Sequence, residues 1–167
     1  MQTIIKNILL GCLILATLPI KAQTTQQAIV KVSGELTNPL SLTETDLQKF
    51  PQTTVIRKDK DGKDHIYTGV LLATILEKAG VTLGKDLKGK NLTKYILLSA
   101  RDGYHVVFAL AELEKDFTDR LIILANTVDG KPLTEADGPF RIIVQDEKKP
   151  ARCIRQLTSI EVVLPTF

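Results

Sequence analysis

Runs in which apolar and polar residues alternate recur between residues 28 and 164, and this spacing is typical of short strands rather than of long helices. Two pairs of these runs flank an Asp-Gly dipeptide, Asp61-Gly62 in one pair and Asp102-Gly103 in the other. Because glycine tolerates the positive φ angles of tight turns, each pair predicts a β-hairpin. The predicted strands are residues 28–34, 53–58, 63–68, 95–100, 104–108, 121–125, 140–144 and 159–164.

Helical spacing is confined to two short segments of the sequence. Thr43 followed by Asp46 has the pattern of a helix N-cap, and Pro51 ends this segment. Apolar residues at positions 70, 71, 75, 76 and 79 have helical spacing, and Gly80 follows where a left-handed C-cap belongs. The sequence contains no internal repeat and no low-complexity linker, so we expect one α+β domain over residues 26–164.

The N-terminal residues 1–22 have the pattern of a signal peptide rather than of a folded element. A polar segment with one positive charge precedes an apolar run at residues 8–18, and Ala22 is a small residue suited to cleavage. That run is well short of the ~20 residues that span a bilayer, so a permanent anchor is the weaker interpretation. Lipoprotein processing at Cys12 is also weaker, because it would leave a long apolar segment on the product. We therefore expect a periplasmic or secreted protein that begins near Gln23.

Composition and charge narrow the class of protein further. Of the 167 residues, 44% are apolar and 25% are charged, which is typical of a globular domain. The chain has 22 Lys and Arg against 19 Asp and Glu. Two of the basic residues, Lys6 and Lys21, lie in the predicted signal peptide, so the remaining domain is nearly neutral. This balance argues against a nucleic-acid-binding protein, which normally carries a clustered basic excess.

Few residues carry recognisable chemistry. The sequence has no glycine-rich phosphate loop with its lysine, no dinucleotide fingerprint and no nucleophile elbow. Cleavage of the signal peptide would leave Cys153 as the only cysteine, which excludes a disulfide within one mature chain. Its thiol is then either a small core group or a functional one. His65, His105 and Cys153 together could supply three metal ligands, but their spacing gives no support for such a site.

Positive charge is concentrated near the C-terminal end of the predicted domain. The Gly138-Pro139 turn beside it can bring the backbone close to a ligand, and arginine binds phosphate through two parallel hydrogen bonds. An anion-binding site is one interpretation, and an exposed basic loop is the other. The cations are Arg141, Lys148, Lys149, Arg152 and Arg155.

Five short motifs, taken in order, resemble the molybdopterin-binding domain of sulfite-oxidase-type oxidoreductases over residues 29–163. The resemblance implies an α+β fold of β-rich mixed sheets with short peripheral helices, and a cleft that holds a pterin dithiolene with molybdenum. The motifs are Val32-Ser33-Gly34-Glu35-Leu36-x-Asn38-Pro39, Tyr67-x-Gly69-Val70-x-Leu72, Asp102-Gly103-Tyr104, Gly138-Pro139-Phe140-Arg141-Ile142-Ile143-Val144 and Arg152-x-x-Arg155-Gln156.

The resemblance also implies a set of ligand-binding residues on the two sides of this cleft. Asp102 is expected to accept hydrogen bonds from the N–H groups of a pterin, and an arginine to donate to its carbonyl. Tyr104 or Phe140 would stack on the ring, with plain core packing as the alternative for both. The ligand-binding residues are Arg101, Asp102, Gly103 and Tyr104 on one side, and Gly138, Phe140, Arg141, Arg152, Cys153 and Arg155 on the other.

One feature of the family is missing from this sequence. The catalytic members carry a metal-ligating cysteine just before the Tyr67 motif, where this chain has Thr54-Val55-Ile56-Arg57. Cys153 lies in the C-terminal segment and would serve as the ligand only if the cleft were rearranged. The resemblance therefore implies an exported, non-catalytic protein that binds a pterin or molybdopterin-like heteroaromatic ligand without a metal. A membrane receptor or a redox partner would be its macromolecular partner. The alternatives are a molybdenum-dependent oxidoreductase and a protein-interaction module with a degenerate cleft.

Overall fold

The computed structural model describes residues 27–166. The predicted signal peptide, its cleavage site at Ala22 and Cys12 lie outside the described residues, so the export prediction stays a prediction. None of the helices within residues 27–166 has the length and hydropathy needed to cross a membrane.

The described chain forms strands joined by short helices and turns, as the alternating pattern predicts. The described residues contain two short α-helices, α1 (Glu44–Leu47) and α2 (Leu72–Lys78), and four short segments of 3-10 helix that follow α2. The strands are β1 (Val30–Gly34), β2 (Leu40–Leu42), β3 (Thr53–Lys58), β4 (Asp64–Leu71), β5 (Tyr95–Ala100), β6 (His105–Ala109), β7 (Ile122–Val128), β8 (Lys131–Pro132), β9 (Arg141–Val144) and β10 (Leu157–Val163).

One mixed sheet and one antiparallel sheet make up the described domain. The first has the strand order β2-β1-β10-β5-β6, in which only β1 and β10 are parallel. The second has the order β3-β4-β7, and the free edge of β7 pairs with β8 at one end and with β9 at the other. The β5–β6 hairpin turns at Gly103, which has a φ of 82°, and the β3–β4 hairpin turns at Gly62, which has a φ of 79°. Both predicted Asp-Gly turns are therefore confirmed.

The helix predictions are confirmed in position and corrected at one boundary. Thr43 caps α1, because its hydroxyl accepts from the Asp46 N–H at 3.2 Å while the Asp46 carboxylate accepts from the Thr43 N–H. Helix α2 begins at Leu72 and not at residue 70, since Val70 and Leu71 still pair with β7 as part of β4. Backbone pairing with β7 keeps Val70 and Leu71 in the strand, so the helix begins only after them. The short strands β2 and β8 have too few residues for an alternating pattern to reveal them.

The main core joins one face of each sheet to α2. Ile160 of β10, Leu124 of β7 and Ile75 of α2 are all fully buried in one cluster. A smaller cluster covers the other face of the second sheet and contains Tyr67 and Ile143. All four residues of β9 are buried. Successive residues of a strand point to opposite faces, so β9 is covered on both sides, and this explains why Arg141 is followed by a continuous apolar run.

His65 joins the β3–β4 hairpin to the turn before β8 through two carboxylates. Its Nδ1 lies 2.6 Å from Asp129 Oδ2 and its Nε2 lies 3.1 Å from Asp61 Oδ2. These hydrogen bonds, with Asp129 the stronger partner, raise the pKa of His65 to about 9. A raised pKa means that the folded state binds the proton more tightly than the unfolded chain, in which histidine has a pKa of about 6.5.

We therefore expect His65 to stabilise the fold fully below about pH 6.5, and this contribution to be lost as the pH rises through about 9. Urea unfolding of the wild type and of His65→Gln at pH 6, 8 and 10 measures the effect. The difference between the two free energies of unfolding should shrink steadily across that series. A difference that is constant with pH would contradict a charged His65 in the folded protein.

Candidate functional site

A cavity of about 500 Å³ opens where the β5–β6 hairpin meets the segment that follows β9. We call it the basic pocket, because its lining carries four cationic side chains and a single carboxylate. Its apolar lining is formed by Ala100, Pro150, Ala151 and Ile154. Its polar lining consists of Lys60, Asp102, Tyr104, Arg141, Lys149, Cys153 and Arg155. Another described hollow of about 700 Å³ is larger, but carboxylates predominate among its charged residues.

Half of the ligand-binding residues predicted from the sequence converge on the basic pocket. They come from two segments that are far apart in the chain, the β5–β6 turn and the stretch from β9 to β10. Tertiary folding thus brings both predicted sides of the cleft to one cavity, although their role in binding a ligand stays a prediction. The converging residues are Asp102, Tyr104, Arg141, Cys153 and Arg155.

Local hydrogen bonds hold the hairpin side of the pocket in place. The Asp102 carboxylate accepts from the Tyr104 N–H at 3.0 Å, which is the usual Asx-turn arrangement. The Tyr104 hydroxyl donates to the Ala151 carbonyl at 3.1 Å and so links the hairpin to the opposite wall. Half of the Tyr104 side chain is still exposed, so a face of its ring is available to a ligand.

The remaining predicted residues do not line the basic pocket. Phe140 is fully buried in the main core, so it packs there and offers no stacking surface. Gly138 packs closely against its own chain, since an added Cβ would lie 2.8 Å from the Leu133 Cβ. Arg101 and Gly103 are exposed in the β5–β6 turn outside the lining.

Arg152 is held by two carboxylates and an aromatic ring outside the pocket lining. Its guanidinium donates to Glu112 at 2.9 Å and to Glu147 at 2.7 Å, and it lies 4.6 Å from the centroid of the Phe108 ring. These contacts join the end of β6 to the segment that carries Cys153. Arg152 thus holds that segment in place, and its predicted binding role stays a prediction.

A buried polar network lies behind the pocket and centres on Arg141, whose residue is 3% exposed. Arg141 Nη1 donates to the Tyr67 hydroxyl at 2.8 Å and lies 3.4 Å from Asp137 Oδ2, and Nη2 lies 3.9 Å from Asp59 Oδ1. The Tyr67 hydroxyl in turn donates to Asp59. Burial, with the nearby Asp59 carboxylate, raises the pKa of Tyr67 well above its usual range, so the phenol keeps its proton. Among the described side chains, Arg141 Nε is buried without a hydrogen-bond partner.

Cys153 lies at the inner end of the pocket and is 3% exposed. Its Sγ accepts from Arg57 Nε at 3.3 Å and from the Val144 backbone N–H. Burial raises the pKa of the thiol, while the backbone hydrogen bond from Val144 and the positive charges of Arg57 and Arg141 oppose that rise. In the free protein the sulfur is thus a protonated thiol with cationic neighbours.

Four further residues belong to the pocket or to the network behind it but were not predicted from the sequence. They are Arg57, Asp59, Lys60 and Tyr67. A signal for Arg57 was present, because it shares the inward face of β3 with Val55. A charged residue on the buried face of a strand is either an ion with a charged or hydrogen-bonding partner or part of a functional site. Lys60 carried no such signal, since it is one of several exposed lysines in the same hairpin.

Within residues 27–166, no group of three or more His, Cys, Asp and Glu side chains could hold a metal ion. The two histidines considered from the sequence are engaged elsewhere. His65 contacts Asp61 and Asp129, and His105 Nδ1 lies 3.0 Å from Ser99 Oγ.

The fold and the pocket together define a two-sheet protein with a cationic cavity suited to an anionic ligand. The sequence profile of the oxidoreductase molybdopterin binding domain matches residues 58–164, which is most of the chain. The chain therefore belongs to the oxidoreductase molybdopterin binding domain family. A molybdopterin-type cofactor is the ligand class of this family. The expectation of a metal-free ligand loses its support, because that cofactor contains molybdenum.

Solved structures support the same fold. The crystal structure of the sulfane dehydrogenase SoxCD from Paracoccus pantotrophus matches with a TM-score of 0.61 and 18% sequence identity. The match covers 81% of this chain but 38% of that chain, so this protein spans well under half of that chain's length. At this identity the likeness shows a sulfite-oxidase-like fold, which confirms the predicted fold class. The curated proteins contain no match to this sequence.

Proposed function

We propose that the basic pocket binds a molybdopterin-type cofactor and that the protein acts as its oxidoreductase-type binding module. The observation that carries this proposal is the convergence of four cations and one carboxylate on a cavity of about 500 Å³. That volume lies within the ~300–1,000 Å³ range of small-molecule pockets. A pterin with a phosphate tail needs a cationic end, a hydrogen-bond acceptor and a flat surface, and this pocket offers all three.

Each part of the lining has a role that follows from its chemistry. The exposed cations Lys60, Lys149 and Arg155 suit the phosphate, since their charged N–H groups lie at the rim and the ion pair of Arg155 Nε with Asp137 leaves its terminal N–H groups for a ligand. The Asp102 carboxylate suits the N–H groups of the pterin, and the exposed face of Tyr104 suits its ring. The cofactor supplies the redox chemistry when bound, and the protein supplies binding, orientation and electrostatics.

Removing one rim lysine should weaken the binding of an anionic pterin. Titrating 6-carboxypterin into the protein and following pterin fluorescence should show saturable binding that weakens as salt is added. Lys149→Ala should raise Kd about fivefold, the equivalent of about 1 kcal/mol for one exposed charge pair. Lys148→Ala is the matched control, because this neighbouring lysine is also exposed but does not line the pocket.

Two outcomes of this titration would contradict cofactor binding in the basic pocket. Absence of saturable binding by the wild type, for 6-carboxypterin and for molybdenum cofactor supplied by a cofactor-producing host, would reject the pocket as the site. Equal losses in Lys149→Ala and Lys148→Ala would instead point to a diffuse charge effect and would also count against it.

A second candidate function is an exported pterin carrier without catalysis. It is supported by the lack of cysteine in β3, the strand from which the family resemblance expects the metal ligand. Its partner would be a membrane receptor, whereas an oxidoreductase would need a redox partner. Molybdenum analysis of protein from a cofactor-producing host separates the two, since a carrier of metal-free pterin would contain pterin without stoichiometric molybdenum. N-terminal sequencing of the exported chain, expected to start near Gln23, checks the export part.

A further inference from the structure

We propose that the hollow of about 700 Å³ is a docking groove for a partner protein, and that the docked segment carries apolar side chains flanked by lysine or arginine. We call this hollow the acidic groove. It shares no lining residue with the basic pocket. The inference therefore goes beyond the proposed function and does not depend on the cofactor.

The acidic groove lies between helix α2, with the loop that follows it, and the segment that leads from β6 to β7. Val81, Leu113 and Ile122 form buried parts of its lining. Partly exposed apolar side chains complete the apolar lining, and they are Leu71, Ala73, Leu83 and Leu121. Covering this concave surface with the apolar side chains of a partner would remove it from water, which favours docking.

The charged residues around this apolar surface are mostly carboxylates. Two cations, Lys115 and Arg120, also line the groove, but Arg120 Nη1 already lies 3.8 Å from Glu147 Oε2. The carboxylates are Glu77, Glu114, Asp116 and Asp119. None of these four forms an ion pair with another residue of the described range 27–166. A docked segment with positive charge would therefore complement the groove.

An exposed aromatic ring beside the groove favours a protein partner over a small cation. Phe117 is 52% exposed and follows Asp116 in the wall segment, yet it is not part of the lining. Its backbone N–H donates to the Glu114 carbonyl at 3.0 Å, so a turn holds this segment in place. A small cation inside the groove would leave the ring in water. A partner protein would cover it, and aromatic residues are enriched at such interfaces.

Charge also separates a protein partner from other macromolecules. A nucleic acid and an anionic membrane surface are both negative, so the carboxylates of the groove would repel them. Apolar side chains of one peptide segment that enter a groove are a common mode of recognition between proteins. The lysine or arginine of that segment would pair with the exposed carboxylates Glu77, Asp116 and Asp119.

Fluorescence anisotropy with a labelled peptide tests the inference on the full-length protein. The probe is a synthetic peptide of leucine and lysine in helical spacing. We expect saturable binding that weakens as salt is added, because attraction between opposite charges is screened. The same peptide with glutamate in place of lysine is expected not to bind.

Removing one carboxylate should weaken binding of the lysine peptide. We expect Asp116→Asn to raise its Kd about threefold, since one exposed charge pair contributes modestly. Asp64→Asn is the matched control, because Asp64 is also exposed and without an ion pair in the described residues but does not line the groove. The Kd of this control should stay within about twofold of the wild type.

Removing the aromatic ring should weaken binding of the lysine peptide more. We expect Phe117→Ala to raise its Kd about tenfold, the effect of an aromatic residue that carries much of the binding energy. Leu92→Ala is the matched control, because Leu92 is 43% exposed and does not line the groove. Both side chains are exposed, so neither substitution opens a cavity in the core.

Three outcomes would overturn the inference. The first is no saturable binding of the lysine peptide, or equal binding of the glutamate peptide. The second is a Kd that Asp116→Asn and Phe117→Ala change no more than their controls do. The third is a dimer in sedimentation velocity that Phe117→Ala dissociates, since the occupant would then be a second copy of this chain. Failure of 6-carboxypterin to bind would count against the proposed function alone, because the acidic groove is separate from the basic pocket.

Discussion

Replacing Arg141 with methionine should lower the free energy of unfolding by about 2–3 kcal/mol, because it removes a buried charged donor and leaves its acceptors unpaired. Its guanidinium is nearly inaccessible to solvent and lies between Asp59 and Asp137, which keep a second cation each in Arg57 and Arg155. Methionine fills much the same volume, so the loss would come from two carboxylates left without their buried partner and from the lost bond to the Tyr67 hydroxyl. Urea unfolding at pH 7 measures it.

Arg155→Met is the matched control for this prediction. Arg155 Nε lies 3.0 Å from the same Asp137, but the Arg155 side chain is 49% exposed. An exposed ion pair is worth about 0–1 kcal/mol, because solvent screens it and ordering the side chains costs entropy. We expect Arg155→Met to cost less than about 1 kcal/mol. Equal costs for the two variants would contradict the view that burial makes Arg141 the centre of the network.

Gly69→Ala should be the most disruptive small substitution in the second sheet. A Cβ on Gly69 would lie 2.1 Å from the Leu124 carbonyl oxygen and 2.5 Å from the Ala125 Cα. Both atoms belong to the backbone of β7, so no side-chain rotation can relieve the overlap, and β4 and β7 would have to separate. Gly69 also lies at the register shift between β4 and β7. We expect a loss of more than about 4 kcal/mol in the free energy of unfolding.

Gly84→Ala distinguishes close approach from backbone strain. Gly84 has a φ of 60°, and an added Cβ would meet no atom within 4 Å. Its replacement should cost only about 1–2 kcal/mol, the penalty for a side chain in the left-handed region. Unfolding followed by circular dichroism compares the two variants. A Gly69→Ala protein as stable as Gly84→Ala would show that β4 and β7 can separate at little cost.

Gly69 and Arg141 belong to the same part of the molecule. Gly69 keeps β4 close to β7, and β4 carries Tyr67, whose hydroxyl contacts Arg141. A shift of β4 would therefore move the network behind the basic pocket. Binding of 6-carboxypterin should weaken in Gly69→Ala even under conditions where the variant still folds.

Local pattern predicted most of the fold, whereas half of the predicted site residues line the basic pocket. The β3 strand, the β5 strand and both Asp-Gly hairpins were predicted correctly because alternation and turn chemistry involve neighbours in the sequence. Phe140 and Arg152 were predicted as ligand contacts, but they do not line the basic pocket. Phe140 packs in the main core, and Arg152 is held by Glu112 and Glu147, so neither faces the pocket. Nothing in the order of residues shows which partners a side chain finds.

The sequence by itself determined where the chain extends, where it turns and which residue types are present, since these depend on side-chain period and on glycine at tight turns. The motifs also indicated the family, which the match over residues 58–164 confirms. Only the tertiary structure decided which charges share a cavity. It brought Lys60, Asp102 and Cys153 to the lining of one cavity, and it placed Arg57 Nε within hydrogen-bond distance of the Cys153 sulfur. Burial and charge pairing depend on segments that meet only after the two sheets have packed, so no local pattern could have specified them.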